Sequence, residues 1–179
     1  MYSKVTNDPN ETIKRILKNS TTLMSGGFGL CGIPENSINY IEQLEIKDLT
    51  VISNNIGNSG RGLVKLLQKD MISKAICSYV GGNPDLEKRI ISNEIEVTLV
   101  PQGTFIEKIR AAGVGIRAFY TPTGHGTVVA ENKEIKNFDR PCILEEALFA
   151  DVAIIKAEVG DEFGNLMFKE TAQNFSPLM

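Results

Sequence analysis

Short apolar runs and stretches with helical spacing alternate along this chain. Within residues 10–17 the apolar side chains fall at positions 13, 16 and 17, the spacing of one helix face. Asp8-Pro9 precedes that stretch and supplies the cap and early proline that are typical of a helix start. Residues 49–52 form a short β-branched run, which is typical of a buried parallel strand.

The same two patterns recur to the end of the chain. They predict strands at 21–24, 49–52, 74–80, 95–100, 118–120 and 151–157, and helices at 10–17, 35–44, 63–69, 85–93 and 105–112. Residues 131–140 are charged and are interpreted as an exposed hairpin or loop, and residues 161–165 as a turn into 166–168. Strands that alternate with helices form parallel βαβ units. We therefore predict an α/β fold in one domain over residues 1–179, with an open, mostly parallel, twisted sheet and helices on both faces.

Four polar, glycine-rich loops follow predicted strands, at 25–32, 53–60, 81–84 and 101–104. Ligands of parallel sheets bind beyond the carboxyl ends of the strands, so we predict that these loops converge on one small-molecule site. The glycines of loop 25–32 allow positive φ angles and close approach to a ligand, and the following helix turns its first N–H groups toward the same space. An anionic or carbonyl-bearing ligand is expected, although tight packing alone would also explain such a turn.

Loop 25–32 differs from the known phosphate-binding loops. No Lys-Ser or Lys-Thr pair follows its last glycine, as a Walker A loop requires. The spacing Gly27-x-Gly29-x-x-Gly32 matches the dinucleotide fingerprint in letters, but Pro34 follows almost at once. Asp48, the nearest downstream acid, precedes its strand instead of ending it. Neither phosphate motif is therefore predicted.

Composition narrows the class of protein. The 179 residues are 42% hydrophobic with a net charge of −3 and intermixed signs, so a globular core is expected and a nucleic-acid-binding face is not. The apolar runs are strand-sized and residues 1–10 are polar, so we expect no membrane span, signal peptide or transit peptide. Cys31, Cys77 and Cys142 are isolated and are interpreted as small buried side chains in a reducing cytoplasm. His125 is the only histidine, so a metal site is not expected.

The candidate functional side chains in the loops are amides. Asn54 and Asn55 could hold a carbonyl or carboxylate group, or could close the preceding strand with an Asx turn. Gln102, in a predicted tight turn after a proline, could donate to a carboxylate, or could be an ordinary exposed glutamine.

Other polar residues are interpreted structurally. Glu35 is a favourable charge at a helix start, Glu145 and Glu146 are read as solvated residues of a helix, and His125 lacks a catalytic partner. Since no nucleophile stands beside a base, the residues alone predict a small-molecule site on an α/β sheet and no specific reaction.

The run Gly26-Gly27-Phe28-Gly29-Leu30-Cys31-Gly32-Ile33-Pro34-Glu35 resembles the alpha subunits of family I CoA-transferases. Further segments agree with that family in order, at 51–55, 78–81, 100–104 and 118–124, and later at Gly164-Asn165, Phe168 and Asn174-Phe175. The resemblance covers nearly all of the chain. It is strongest toward the 3-oxoacid CoA-transferases and implies their α/β fold.

The resemblance implies transfer of CoA from succinyl-CoA to a 3-oxo acid such as acetoacetate. In the family a glutamate attacks the thioester, forms a mixed anhydride and is converted to a glutamyl-CoA thioester. That glutamate belongs to the beta subunit, in a motif that does not occur here. The resemblance therefore implies a cytoplasmic hetero-oligomer with a beta subunit. The substrates would be acyl-CoA and carboxylic acids, with no metal, no nucleic acid and no tightly bound cofactor.

The resemblance also assigns site residues. It implies that CoA binds at Gly26, Gly27, Phe28, Gly29, Leu30, Cys31 and Gly32. Asn54, Asn55 and Gln102 match positions near the substrate carboxylate and the reacting glutamate, where amide donors orient carboxylates and stabilise charge developing on oxygen. These three residues are predicted to support catalysis.

The chain departs from the family at several positions. Residues 58–61 replace an acidic and aromatic stretch, Gly82 replaces a glutamate, and Gln173 replaces an arginine. The chain ends at Met179, where the family continues, and a truncation of this kind is expected to leave a sheet edge exposed. Two alternatives stay open: a subunit of an acetate or other short-chain acyl CoA-transferase, and a non-catalytic paralogue that binds CoA esters.

Overall fold

The computed structural model describes residues 3–58 and 60–179, so Met1, Tyr2 and Ser59 of the predicted loop 53–60 lie outside the described residues. A five-stranded sheet forms the centre of the fold. Its strands are β1 (Thr22–Ser25), β2 (Leu49–Ser53), β3 (Ile72–Cys77), β4 (Glu96–Leu99) and β8 (Val152–Ile154). All neighbouring strands are parallel, in the order β4-β3-β2-β1-β8, which confirms the predicted mostly parallel α/β fold.

Helices cover both faces of this sheet, as predicted. They are α1 (Pro9–Ile16), α2 (Glu35–Ile41), α3 (Val64–Gln68), α4 (Pro84–Ile91) and α5 (Gln102–Gly113). Successive residues of a strand point to opposite faces. In β1, Leu23 belongs to the core cluster that includes residues of α1–α4, while Met24 packs with Phe105 of α5. The central strands are therefore apolar on both sides, which explains the continuous β-branched run in β2.

A second, antiparallel sheet lies beside α5. It consists of β5 (Ala118–Thr121), β6 (Ile135–Asn137) and β7 (Pro141–Glu146), in the order β5-β7-β6. The predicted strand at 118–120 is thus correct as a strand, but it pairs outside the parallel sheet. Residues 131–140, predicted as an exposed hairpin or loop, are exposed for the most part and contain β6 and the turn that leads to its partner β7.

The prediction that Glu145 and Glu146 are solvated residues of a helix is wrong. Both lie in β7, where Glu146 is exposed but Glu145 is only 1% exposed. The Glu145 carboxylate accepts hydrogen bonds from Lys108 Nζ at 2.8 Å and from Lys133 Nζ at 2.5 Å. Burial raises the pKa of this carboxyl, but the two lysines outweigh burial and lower the pKa overall. Because Lys108 lies on α5, this Glu145 ion cluster joins the antiparallel sheet to the rest of the core.

The C-terminal segment, residues 170–179, folds back onto loop 25–32. After the predicted turn at 161–165, flanked by the hairpin strands β9 (Val159–Gly160) and β10 (Leu166–Met167), two 3-10 turns follow at Glu170–Gln173 and Ser176–Leu178. The ring of Phe175 packs edge-on against Phe28 and Phe105, with centroids 6.0 and 6.4 Å apart. Within the described ranges, no helix has the length and apolar character needed to cross a membrane.

Candidate functional site

Loop 25–32 begins directly at the carboxyl end of β1 and turns back on itself. Phe28 and Cys31 exchange two backbone hydrogen bonds of 3.0 Å, and Gly29 between them has a φ of +59°, which suits glycine. Gly32 also has a positive φ, of +67°, and a Cβ built on it would lie 2.1 Å from the carbonyl oxygen of Ala172. The loop is therefore shaped by the C-terminal segment as well as by its own turn.

Asn174 holds the loop from that segment. Its Oδ1 accepts a hydrogen bond from the Gly27 N–H at 3.1 Å, and its Nδ2 donates to the Cys31 carbonyl at 3.1 Å. The backbone of Asn174 has a φ of +26° with a ψ of −110°, a conformation rare for any side-chain-bearing residue. Sequence reasoning gave Asn174 no role in the site, because the residues it contacts are far away along the chain.

Asn54 joins three of the four predicted loops. It is 3% exposed at the carboxyl end of β2. Its Oδ1 accepts from the Gly29 N–H at 3.2 Å, while its Nδ2 donates to Ser78 Oγ at 2.9 Å and to Gln102 Oε1 at 3.3 Å. The hydrogen bonds of Asn54 therefore hold loops 25–32, 53–60 and 101–104 together, as predicted.

The remaining loop, 81–84, joins the same rim through Asn83. This residue is 3% exposed, and its Nδ2 donates to the carbonyls of Ile56 and Gly57 at 3.1 and 2.9 Å. Its Oδ1 accepts from the Leu86 N–H at 3.1 Å and caps α4. All four loops are therefore in contact at one end of the parallel sheet.

Gln102 starts a helix where a tight turn was predicted, whereas Asn55 forms the Asx turn that was one of its two predicted roles. Gln102 is the first residue of α5, which starts three residues earlier than the sequence predicted, and its side chain is exposed. Asn55 Oδ1 accepts from the Gly57 N–H at 3.2 Å, which is an Asx-type turn. Among the described residues, Asn55 makes no side-chain hydrogen bond with Asn54 or Gln102.

The other candidate side chains lie at the edge of the site or outside it. Glu35 begins α2, makes no capping hydrogen bond and forms an ion pair with Lys65 of α3. Cys77 and Cys142 are buried as predicted, whereas Cys31 is exposed, contrary to prediction. Burial raises the pKa of the Cys77 thiol to about 11, so it is protonated at neutral pH. His125 is exposed in a turn.

A groove of about 680 Å³ runs beside loop 25–32. It is lined by Phe28, Cys31, Glu170, Thr171, Gln173 and Asn174. Ranges 25–32, 53–60, 81–84 and 101–104 contain no Asp, Glu, Lys or Arg. The rim of loops thus offers amides, hydroxyls, backbone groups and the exposed Cys31 thiol. Its amides, hydroxyls and N–H groups can hold a carboxylate or carbonyl oxygen, and it contains no carboxylate nucleophile. No cluster of three or more His, Cys, Asp or Glu suited to a metal occurs among the residues described.

Comparison with known proteins gives one consistent family. The sequence model described as "Coenzyme A transferase" matches residues 6–179. The chain is 52% identical over 163 residues to one subunit of the succinyl-CoA:3-ketoacid coenzyme A transferase of Helicobacter pylori, covering 90% of this chain and 70% of the relative. It is 51% identical over 176 residues to the corresponding probable subunit from Bacillus subtilis, covering 98% and 74%. The human mitochondrial protein named "Succinyl-CoA:3-ketoacid coenzyme A transferase 2" is 41% identical, with 94% of this chain and 36% of the relative covered.

Solved structures agree in fold. An acyl-CoA transferase from Escherichia coli, described as a thioester complex with CoA, superposes with a TM-score of 0.82 at 21% identity, covering 93% of this chain and 39% of that chain. Glutaconate coenzyme A-transferase from Acidaminococcus fermentans gives a TM-score of 0.78 at 14% identity, covering 90% and 59%. At these identities the likeness supports the architecture alone.

Proposed function

The chain belongs to the coenzyme A transferase family, and from this premise we propose that it is the alpha subunit of a succinyl-CoA:3-oxoacid CoA-transferase. It would take part in moving CoA from succinyl-CoA to a 3-oxo acid such as acetoacetate. Relatives about half identical over 90–98% of the chain carry that activity in their names, which supports this substrate pair. Nothing in the described site favours the short-chain acyl or the non-catalytic alternative.

The neutral rim of loops carries the proposal. The covalent route that we propose needs a carboxylate nucleophile, and the four loops contain none. A glutamate from a separate beta subunit would attack the thioester carbonyl, breaking the C–S bond and releasing the CoA thiolate with a mixed anhydride on the glutamate. The thiolate would then attack the glutamyl carbonyl, expelling succinate and leaving a glutamyl-CoA thioester for the acceptor. The bacterial relatives are named as single subunits of their enzymes, which supports a hetero-oligomer.

The residues of this chain would bind and orient the reacting groups. The exposed Gln102 amide would donate to a carboxylate of the substrate or of the glutamate, without forming the strong ion pair of a lysine or arginine. Asn54 would support Gln102, and Asn55 would shape loop 53–60 through its Asx turn. The CoA thioester would run along residues 26–32 and their groove. The three free cysteines are consistent with the cytoplasmic location that we propose.

Co-expression with a candidate beta subunit tests this function. We expect a stable complex that transfers CoA from succinyl-CoA to acetoacetate, and no transfer with either chain alone. Transfer to acetate but not to acetoacetate would replace the proposed acceptor with the short-chain alternative. A stable complex that binds CoA esters without turnover with either acceptor would favour the non-catalytic alternative.

A further inference from the structure

The orientation of the Asn54 carboxamide is fixed by its surroundings. A backbone N–H can only donate, so the Asn54 atom that faces Gly29 N at 3.2 Å must be the oxygen. The NH₂ group of Asn54 therefore points the other way. It has two hydrogens, and two acceptors lie in front of it, Ser78 Oγ at 2.9 Å and Gln102 Oε1 at 3.3 Å.

The orientation of the Asn54 amide determines that of the Gln102 amide. Because the Asn54 NH₂ group donates toward Gln102, the Gln102 atom nearest to it must be the carbonyl oxygen. The NH₂ group of Gln102 then lies on the far side of the amide, and within the described residues it has no hydrogen-bond partner. The exposed Gln102 amide is therefore oriented so that its NH₂ group is available to donate. That is the orientation a carboxylate ligand needs.

Ser78 holds the NH₂ end of the Asn54 amide. It follows β3 directly, and its Oγ donates to the Asn54 carbonyl at 3.3 Å. The hydroxyl hydrogen is thereby directed to the backbone, which leaves a lone pair on Oγ to accept from Asn54 Nδ2. The backbone N–H groups of Ser78 and Tyr79 also donate to the Asn54 carbonyl at 3.1 Å. Backbone and side chain of Asn54 are therefore both held by the end of β3.

We propose that Ser78 is a positioning residue, which locks Asn54 in the rotamer that turns the Gln102 NH₂ group toward a substrate carboxylate. The inference rests on the proposed function, since it assumes that Gln102 donates to a carboxylate. Without Ser78, one Asn54 hydrogen would lose its acceptor, and the amide would be held only by the two longer bonds, 3.2 Å from the Gly29 N–H and 3.3 Å to Gln102. Gln102 would then sample orientations that present its oxygen to the ligand.

A double-mutant cycle in the complex with the beta subunit tests this relation. We expect Ser78→Ala to lower kcat/KM for CoA transfer about tenfold in the wild-type background, and to have almost no further effect in the Gln102→Ala background. Ser78→Thr keeps the hydroxyl and should restore most of the activity. Ser73→Ala is the matched control, since Ser73 is an exposed serine of β3 whose Oγ lies 3.5 Å from the Leu49 carbonyl, away from Asn54. Equal losses from Ser78→Ala in both backgrounds would overturn the proposal, because a purely structural serine acts independently of Gln102.

A spectroscopic readout separates this inference from the proposed function. In the ¹⁵N-labelled chain, the side-chain NH₂ signals of Asn54 and Gln102 can be assigned from their absence in Asn54→Ala and Gln102→Ala. We expect Ser78→Ala to shift or broaden both signals, and Ser73→Ala to leave them unchanged. Unchanged Gln102 signals in Ser78→Ala would overturn the inference even in an active complex. Shifted signals in a complex without transfer activity would uphold the positioning and reject the proposed reaction.

Discussion

Gln102 combines an exposed amide with a buried partner. Its Oε1 is 3.3 Å from the nearly buried Asn54 side chain, which supplies a fixed point for an otherwise flexible residue. In the reconstituted complex, we expect Gln102→Ala to lower kcat about 100-fold, the usual cost of removing one preorganised donor from a developing negative charge. Assembly should be little affected, because the variant removes one polar side chain that is exposed in this chain and leaves its core unchanged. Steady-state kinetics and size-exclusion chromatography measure the two effects.

Two further variants make this test specific. Gln68→Ala removes an exposed glutamine of α3 that binds Asp85 of α4 and makes no hydrogen bond with Asn54 or Gln102, and it should leave kcat unchanged. Gln102→Glu keeps the size of the side chain and still accepts from Asn54, but it places a negative charge beside the substrate carboxylate, so it should be slower than Gln102→Ala. Wild-type kcat in Gln102→Ala would remove Gln102 from the site.

The kinds of residue at the site were predictable from sequence, but their orientation was not. Asn54 and Gln102 follow predicted strands, and polar loops after parallel strands mark a ligand site. The bonds that orient them join residues 25 and 48 positions apart, which no local pattern encodes. The neighbours Asn54 and Asn55 illustrate the difference. Asn55 closes a local turn, whereas Asn54 connects three loops.

At the scale of elements, the conformation of loop 25–32 depends on its contacts with the C-terminal segment. An alanine Cβ at Gly32 would lie 2.1 Å from the Ala172 carbonyl oxygen and 2.6 Å from Asn174 Nδ2, with φ at +67°. We expect Gly32→Ala to displace residues 170–174 and to destabilise the protein by roughly 3 kcal/mol, combining the left-handed backbone cost with the clash. Limited trypsin digestion should then cleave faster after the exposed Lys169.

Gly29 provides the matched control for Gly32. It has a similar φ of +59°, but a Cβ built there has no atom within 4 Å. Gly29→Ala should therefore cost only about 1 kcal/mol of backbone strain and leave cleavage after Lys169 unchanged. Urea unfolding measures both free energies. Equal destabilisation by the two variants would show that the C-terminal segment does not restrain the loop.

Most elements were predictable because their apolar spacing is local. α1 even starts as predicted, with Asp8 Oδ1 accepting from the Glu11 N–H at 3.0 Å. Two elements were misjudged where the outcome depends on distant partners. The pattern at 118–120 identifies a strand but not the sheet that it joins, and the two charged residues at the end of β7 suggest solvent unless the lysines facing Glu145 are known.

At the scale of the whole molecule, the five-stranded and the three-stranded sheets meet at α5. Lys108 of α5 reaches Glu145 of β7, and Lys133 reaches the same carboxylate from the segment before β6. Glu145 is 1% exposed, whereas the lysine side chains are 12% and 31% exposed, so the carboxylate is the most desolvated member of the cluster. This buried charge between the sheets supports our prediction that residues 1–179 form one domain, which should unfold in a single transition.

Replacement of Glu145 tests that coupling. We expect Glu145→Gln to lower the free energy of unfolding at pH 7 by about 3 kcal/mol, because it leaves Lys108 partly buried without its counter-charge. Glu146→Gln, on the exposed neighbour in the same strand, should change it by less than about 0.5 kcal/mol. Thermal unfolding followed by circular dichroism and by tyrosine fluorescence should also show one coincident transition in the wild type. Separate transitions would instead divide the chain into two units.

The pH dependence gives the sharper version of this test. The pKa of Glu145 is lowered in the folded state, so its contribution to stability is fully present above the ordinary value of 4.5 and is lost as the pH falls through the folded-state pKa. The difference in unfolding free energy between wild type and Glu145→Gln should therefore be constant from pH 7 down to about 5 and then shrink on further acidification. Urea unfolding at a series of pH values measures it. A difference that stays constant across the acidic range would mean that the loss in Glu145→Gln comes from packing, and that the two sheets are not coupled through the charge of Glu145.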